Sequence, residues 1–182
     1  MEKKIADLIT YLKEQGADNC AHLFTEQIPF NEEFRKPCEQ NYCGHYNKNW
    51  MCPPNVGPFQ ELKEQALEYK EGILFQTICQ LEDSYDFEGM EEGTQNHTKL
   101  LRKIIKKIEE ESLFEDFLPL NVGPCSVCAR CAIQKGEPCP FPTKAIASVE
   151  AYGIDVNAMV TSCGIPYNNG PNTVSYVSLI LF

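Results

Sequence analysis

Ile73-Leu74-Phe75-Gln76-Thr77-Ile78-Cys79-Gln80-Leu81 is the stretch that decides the fold. It is rich in β-branched and aromatic residues, has no helical period, and lies between Gly72 and the acidic, exposed-looking segment Asp83 to Gly93. That is the pattern of a strand buried in a sheet. A second run of the same kind, Thr173 to Phe182, ends the sequence and reads as a strand tied into that sheet. Weaker strand patterns occupy Ala21 to Ile28 and Phe117 to Val122, which predicts a small sheet built near residues 20, 73, 117 and 173. Helical periodicity surrounds these runs. Ile5, Leu8, Ile9 and Leu12 mark a helix over residues 2–15 with Gly16 as its left-handed cap. Phe59, Leu62, Ala66 and Tyr69 mark another. The strongest stripe is Leu100, Leu101, Ile104, Ile105 and Ile108, from about Gln95 to Glu111, with Arg102, Lys103, Lys106 and Lys107 opposite and read as a solvated face. Thr143 can cap a helix that ends near Gly153, and Asp155 a further one that ends near Gly164. The expected architecture is one domain over residues 1–182, α/β or α+β, with helices packed on the sheet.

The chain has 182 residues, of which 43% are hydrophobic, enough for an ordinary core and too many for a disordered chain. Sixteen Lys and Arg against 26 Asp and Glu leave a net charge of -10, so there is no basic footprint for nucleic acid. No apolar run approaches the roughly 20 residues that span a bilayer, and Met1-Glu2-Lys3-Lys4 leads into an amphipathic pattern and not a signal-peptide core. A cytoplasmic protein without membrane or nucleic-acid partners is the expectation.

Ten cysteines are the informative count. They are clustered, and in a reducing compartment clustered cysteines are more often metal ligands or redox centres than disulfides. Two stretches hold most of them and lack periodicity. Loop one, about residues 31–57, reads Cys38-x4-Cys43-x8-Cys52; loop two, about residues 121–142, reads Cys125-x2-Cys128-x2-Cys131-x7-Cys139-Pro140. Two successive two-residue gaps wrap three thiolates over one face of a cubane, and a later Cys-Pro caps its fourth iron, as in bacterial ferredoxin segments. The seven-residue gap departs from the ferredoxin spacing and argues against the ferredoxin fold, not against a cluster. Zinc is the rival, since four thiolates also close a tetrahedral site; structural zinc more often uses two separated Cys-x2-Cys knuckles.

Loop one offers only three cysteines. Its fourth ligand is Cys163, His45 or an exogenous molecule, and in the last case the site is open to substrate and the protein an enzyme candidate. Tyr46 and Trp50 can shield a cluster from water, or form the loop's own small core. Arg35, Lys36, Arg130, Lys135 and Lys144 flank the loops and can offset a cluster's charge or attract a small anion, with scattered surface bases as the plain alternative. Cys20 and Cys79 fall in strand-like segments and read as core thiols. Cys52-Pro53-Pro54 and Cys139-Pro140-Phe141-Pro142 each precede a predicted helix and a strand, an echo that would make the halves structural cousins and place each last thiol at a helix N-terminus. Glycine-rich phosphate loops, nucleophile elbows and His-Glu-x2-His helices are absent, and His22, His45 and His97 are too scattered for a histidine triad.

Arg35 to Cys38, Cys43, Trp50-Met51-Cys52-Pro53-Pro54, the Gly123-Pro124-Cys125 to Cys139-Pro140 run and Ser148 to Val156 together resemble a family of predicted metal-binding proteins of anaerobic bacteria and archaea, domain of unknown function 2284. The resemblance runs from about residue 20 to the end and implies a cysteine-rich cytoplasmic metalloprotein of iron-sulfur type, with no activity to carry over. Cys38, Cys43, Cys52, Cys125, Cys128, Cys131 and Cys139 match its pattern; Cys20, Cys79 and Cys163 lie outside it. The expected function is an iron-sulfur protein with one or two 4Fe-4S clusters, serving electron transfer or an oxidoreductase, with a redox partner protein or a small anionic molecule as partner. The alternative is a non-catalytic zinc- or metal-binding or metal-delivery module.

Overall fold

The run around Ile73 becomes the middle of the sheet. The computed structural model describes residues 1–182 and orders the elements as α1 (Glu2–Glu14), β1 (Asn19–Phe24), the single turn α2 (Lys36–Glu39), α3 (Phe59–Leu67), β2 (Glu71–Gln80), α4 (Phe87–Glu110), β3 (Leu118–Leu120), α5 (Val156–Ser162) and β4 (Thr173–Leu181). The strands lie in the order β1-β2-β4-β3 and every pairing is antiparallel, so the fold is α+β.

Side chains alternate across the pleat, and both faces are covered. Leu74, Val177, Leu179 and Leu181 point into a core closed by α3, α5 and residues 147–154. Ile73, Phe75 and Ile180 point the other way, onto Leu8 and Leu12 of α1 and Leu101, Ile104 and Ile108 of α4. This two-sided burial explains why β2 reads as a nearly unbroken apolar run. Each such side chain stabilises the fold by about 1.5–3 kcal/mol. No helix is long and apolar enough to cross a membrane.

Three expectations change. β1 stops at Phe24, and Thr25–Gln27 turn into a 3-10 helix where the strand was read on to Ile28. α4 starts at Phe87, not near Gln95. Asp86 caps it, with Oδ1 accepting from the Gly89 amide at 2.8 Å, and a Cβ on Gly93 would stand 2.6 Å from the Tyr176 ring. Only glycine lets this first half of the helix lie so close to the sheet. Between Thr143 and Gly153 there is no α-helix: 3-10 turns at Pro142–Lys144 and Glu150–Tyr152 flank an extended segment. Ile146, Ala147, Ser148 and Val149 are all buried in succession, which one helical face cannot achieve, and the Asn121 amide donates to Ala147 O while the Val149 amide donates to Asn121 O. The echo between the halves therefore fails at its second helix, and Cys139 gains no helix dipole.

One buried polar network joins α4 to the root of loop two. Ser178 Oγ donates to Asn121 Oδ1 at 3.1 Å, so His97 Nε2 carries the proton it gives Ser178 at 2.8 Å, and Nδ1 accepts from the Thr77 hydroxyl at 2.7 Å. Asn121 Nδ2 completes the chain by donating to Thr98 Oγ1. The charged face of α4 is only partly solvated: Lys107 sits 4.5 Å from the Tyr11 ring centre, Lys103 bonds Gln15, and Arg102 lines a cavity.

Candidate metal centre

Loop one is folded by its own polar groups, not by periodicity. Asn31 caps a 3-10 turn over Glu32–Arg35, which runs into α2 and carries Cys38. Arg35 is buried and its Nη2 donates to Gly57 O at 2.9 Å, clamping the two ends of the loop together. Arg35 is thus a structural staple, not a free anion site. Lys36 is paired with Glu33, Arg130 Nε donates to Gln134, and Lys144 stands over the Phe141 ring. Tyr46 lines a shallow cavity of about 300 Å³ together with Glu32, Arg35 and Glu39, whose two carboxylates disfavour an anion.

The two loops dock on each other. Asn49, buried, donates from Nδ2 to Cys125 O at 2.9 Å and accepts the Met51 amide. Next to it, the Trp50 amide donates to Cys131 Sγ at 3.4 Å and the indole N–H donates to Glu137 O at 3.1 Å. Gln134 Nε2 donates to Lys48 O. Trp50 therefore fastens one loop to the other, a use of its ring that is neither of the two roles read from the sequence.

The thiols report the same proximity. Burial first, then the charges of Cys43 and Cys38 and, from the other loop, Cys125 and Cys131, push Cys52 up to about 12. Cys38 is raised by burial, by Cys43 and by Glu150, and Cys128 by desolvation and by Cys139, Cys125 and Cys131. Such thiols hold their protons until a metal displaces them. Six of the seven are half-buried and Cys43 is exposed. They share one region but not one point: no three Cys, His, Asp or Glu side chains surround a position for a single ion. Thiol donors this numerous, with an amide already aimed at one sulfur, fit a thiolate-ligated metal group.

Cys163 lies at the end of α5, packed against the core beside Ser162. Cys20 is on β1 with its thiol pushed up to about 11 by burial, and Cys79, on β2, lies against Gly89 of α4. A residue the sequence reading passed over is Glu150. Its side chain reaches solvent yet sits among packed elements, and burial holds its carboxyl above the usual carboxylate range. The only sequence signal for it was a lone acid between apolar neighbours.

The Ser148 to Val156 block turns out to be the seat of loop one. Asn31 N donates to Gly153 O at 2.7 Å and Asp155 N to Pro29 O at 2.9 Å. Gly153 has φ +67°, and a Cβ there would stand 2.6 Å from the Phe59 ring. Gly153→Ala is expected to destabilise the protein by about 2 kcal/mol, left-handed strain plus the clash. Gly164→Ala, with φ +73° and open space around its Cβ, is expected to cost only the strain. Urea midpoints of the two variants measure the difference.

The sequence profile of the family described as "Predicted metal-binding protein (DUF2284)" matches residues 21–182. The chain belongs to that family. Among curated proteins none matches. A solved structure of epoxyqueuosine reductase from Bacillus subtilis is similar at 12% identity with a TM-score of 0.41, over 98% of this chain and 45% of that one; the chain spans less than half the length of that protein.

Proposed function

We propose that this chain is an iron-sulfur redox protein in which loop two holds a 4Fe-4S cluster through Cys125, Cys128, Cys131 and Cys139, and loop one holds a second through Cys38, Cys43 and Cys52. The observation that carries the reading is the docking of the loops through Asn49 and Trp50, which brings thiols of both sets into electrostatic reach of Cys52. Bound clusters would supply one-electron transfer. The protein's own part is to hold the two sets side by side, to aim the Trp50 amide at Cys131 Sγ, and to half-bury the thiols. Hydrogen bonds to sulfur and exclusion of water both shift a cluster's potential. With three cysteines in loop one and Cys163 packed against the core at the end of α5, a cluster held there would take an exogenous molecule as its fourth ligand.

Anaerobically purified protein is expected to be brown and to contain iron and acid-labile sulfide; zinc without sulfide would overturn the reading in favour of a metal-binding or delivery module. Cys79→Ser and Cys163→Ser are expected to keep the full iron content, and the parent spectrum is expected to respond to added cyanide or thiolate. Iron loss in Cys163→Ser would instead close the first site.

A further inference from the structure

A cavity of about 370 Å³ lies between α3, α4, β3 and the extended segment before Val149, and one wall of it is loop one. Its lining is mostly apolar, and Met51, the residue directly before Cys52, is part of it. Arg102 of α4 also lines it, as does Glu109 two turns further along the same helix, whose side chain is exposed to water and so screened. The Arg102 guanidinium is half-buried and takes part in none of the ion pairs of the molecule. On a chain of net charge -10, where Arg35, Lys36, Arg130 and Lys144 are engaged by protein groups, an unpaired arginine facing a mostly apolar cavity is the feature that selects a ligand. Gln65 adds a second polar handle: its Oε1 accepts from the buried Tyr152 hydroxyl at 2.7 Å, which leaves its amide N–H groups uncommitted.

We propose that this cavity binds a small organic monocarboxylate with an apolar body, the carboxylate on Arg102 and the body against Met51, Leu118 and Ile146. A volume near the low end of the ~300–1,000 Å³ common for small-molecule sites limits the occupant to a short chain or a single ring. A planar guanidinium meets a carboxylate through two parallel N–H···O bonds, which neither a neutral nor a cationic head group can replace. That the occupant would also be a substrate of the first cysteine site, one residue away through Met51, rests on the redox reading above; the binding itself does not.

Titration calorimetry on the anaerobically purified protein tests this, with octanoate as the charged probe and octanol as the same body without charge. Octanoate is expected to bind one site at least tenfold more tightly than octanol. Arg102→Gln is expected to bring octanoate down to the octanol level, and Ala145→Phe, which adds a ring to the cavity's lining, to weaken both. Equal binding of the two probes by the parent, no binding of octanoate, or full octanoate affinity in Arg102→Gln would overturn the proposal; the parent comparison needs no variant to fold. Iron and sulfide are measured on the same samples. Binding lost with iron present removes the cavity proposal alone, and binding kept without iron removes the redox reading alone.

Discussion

Cys128→Ser is expected to remove about half of the iron and acid-labile sulfide, emptying loop two and leaving loop one loaded. Cys128 is the middle thiol of the Cys-x2-Cys-x2-Cys run, and the charges that reach it come from Cys139, Cys125 and Cys131, the other three of its own set. Serine has nearly the same volume, so packing barely changes, but its hydroxyl is a hard donor where a soft thiolate is needed. Cys38→Ser is expected to do the converse. A four-thiolate site should also be blind to added cyanide, so the parent's spectroscopic response should survive Cys128→Ser and vanish in Cys38→Ser. Unchanged iron in Cys128→Ser, or loss of all of it, would mean that the loops do not hold separate centres. The second of these outcomes would point to the Asn49 and Trp50 contacts as coupling the loops in folding, since loop two is also the surface on which loop one is docked.

Acidification from pH 7 to pH 5 is expected to cost the fold about 2 kcal/mol through His97 alone. The imidazole is 1% exposed, and burial pulls it down to about 3 from an ordinary value near 6.5. It is a base whose charged form is disfavoured in the folded state, so the unfolded chain binds the extra proton. Stability is therefore full above pH 6.5 and falls as the pH drops from there towards 3. Neither neighbour offers compensation: Thr77 donates to Nδ1, and Ser178 can accept from Nε2 but brings no negative charge. His97→Gln is expected to be less stable than the parent at pH 7, because it disrupts the chain from Thr77 to Asn121, yet to lose about 2 kcal/mol less between pH 7 and pH 5. Carboxylates and any acid-labile group contribute equally to both proteins, so the difference between two denaturation series isolates His97. Parallel curves would show that the folded ring takes up its proton as readily as the unfolded one.

Arg102 and Glu150 show where sequence reading stops. Both lie at positions a periodicity argument classes as ordinary: one on the polar face of an amphipathic helix, the other in a predicted helix after Thr143. Their surroundings are made by residues far away in sequence, Met51 and Leu118 for Arg102, Cys38 and the turns of loop one for Glu150. The misplaced helix over residues 143–153 has the same origin. Ala145 to Val149 has adequate helix propensity, and it is the two backbone bonds to Asn121, with burial on both sides, that hold it extended. Likewise Asp83 to Gly93 reads as an acidic, exposed stretch, and its second half is helix because Gly93 leaves room for the ring of Tyr176 on the sheet.

What could be determined from the sequence had a local cause. The strands at Ile73 and Thr173, the helices α1, α3 and α5 and the stripe of α4 follow from side-chain period and caps, which act over one or two turns. The two cysteine sets are legible as candidate ligand sets from their spacing alone, because a metal group held by a single loop would need its thiols at fixed short intervals. The antiparallel order β1-β2-β4-β3, the staple of Arg35 on Gly57, the docking of Trp50 on loop two and the cavity behind Met51 were decided only in the tertiary structure. Each joins segments separated by many residues, and such contacts are selected by which surfaces bury each other best, a property of the whole chain that no window of it contains.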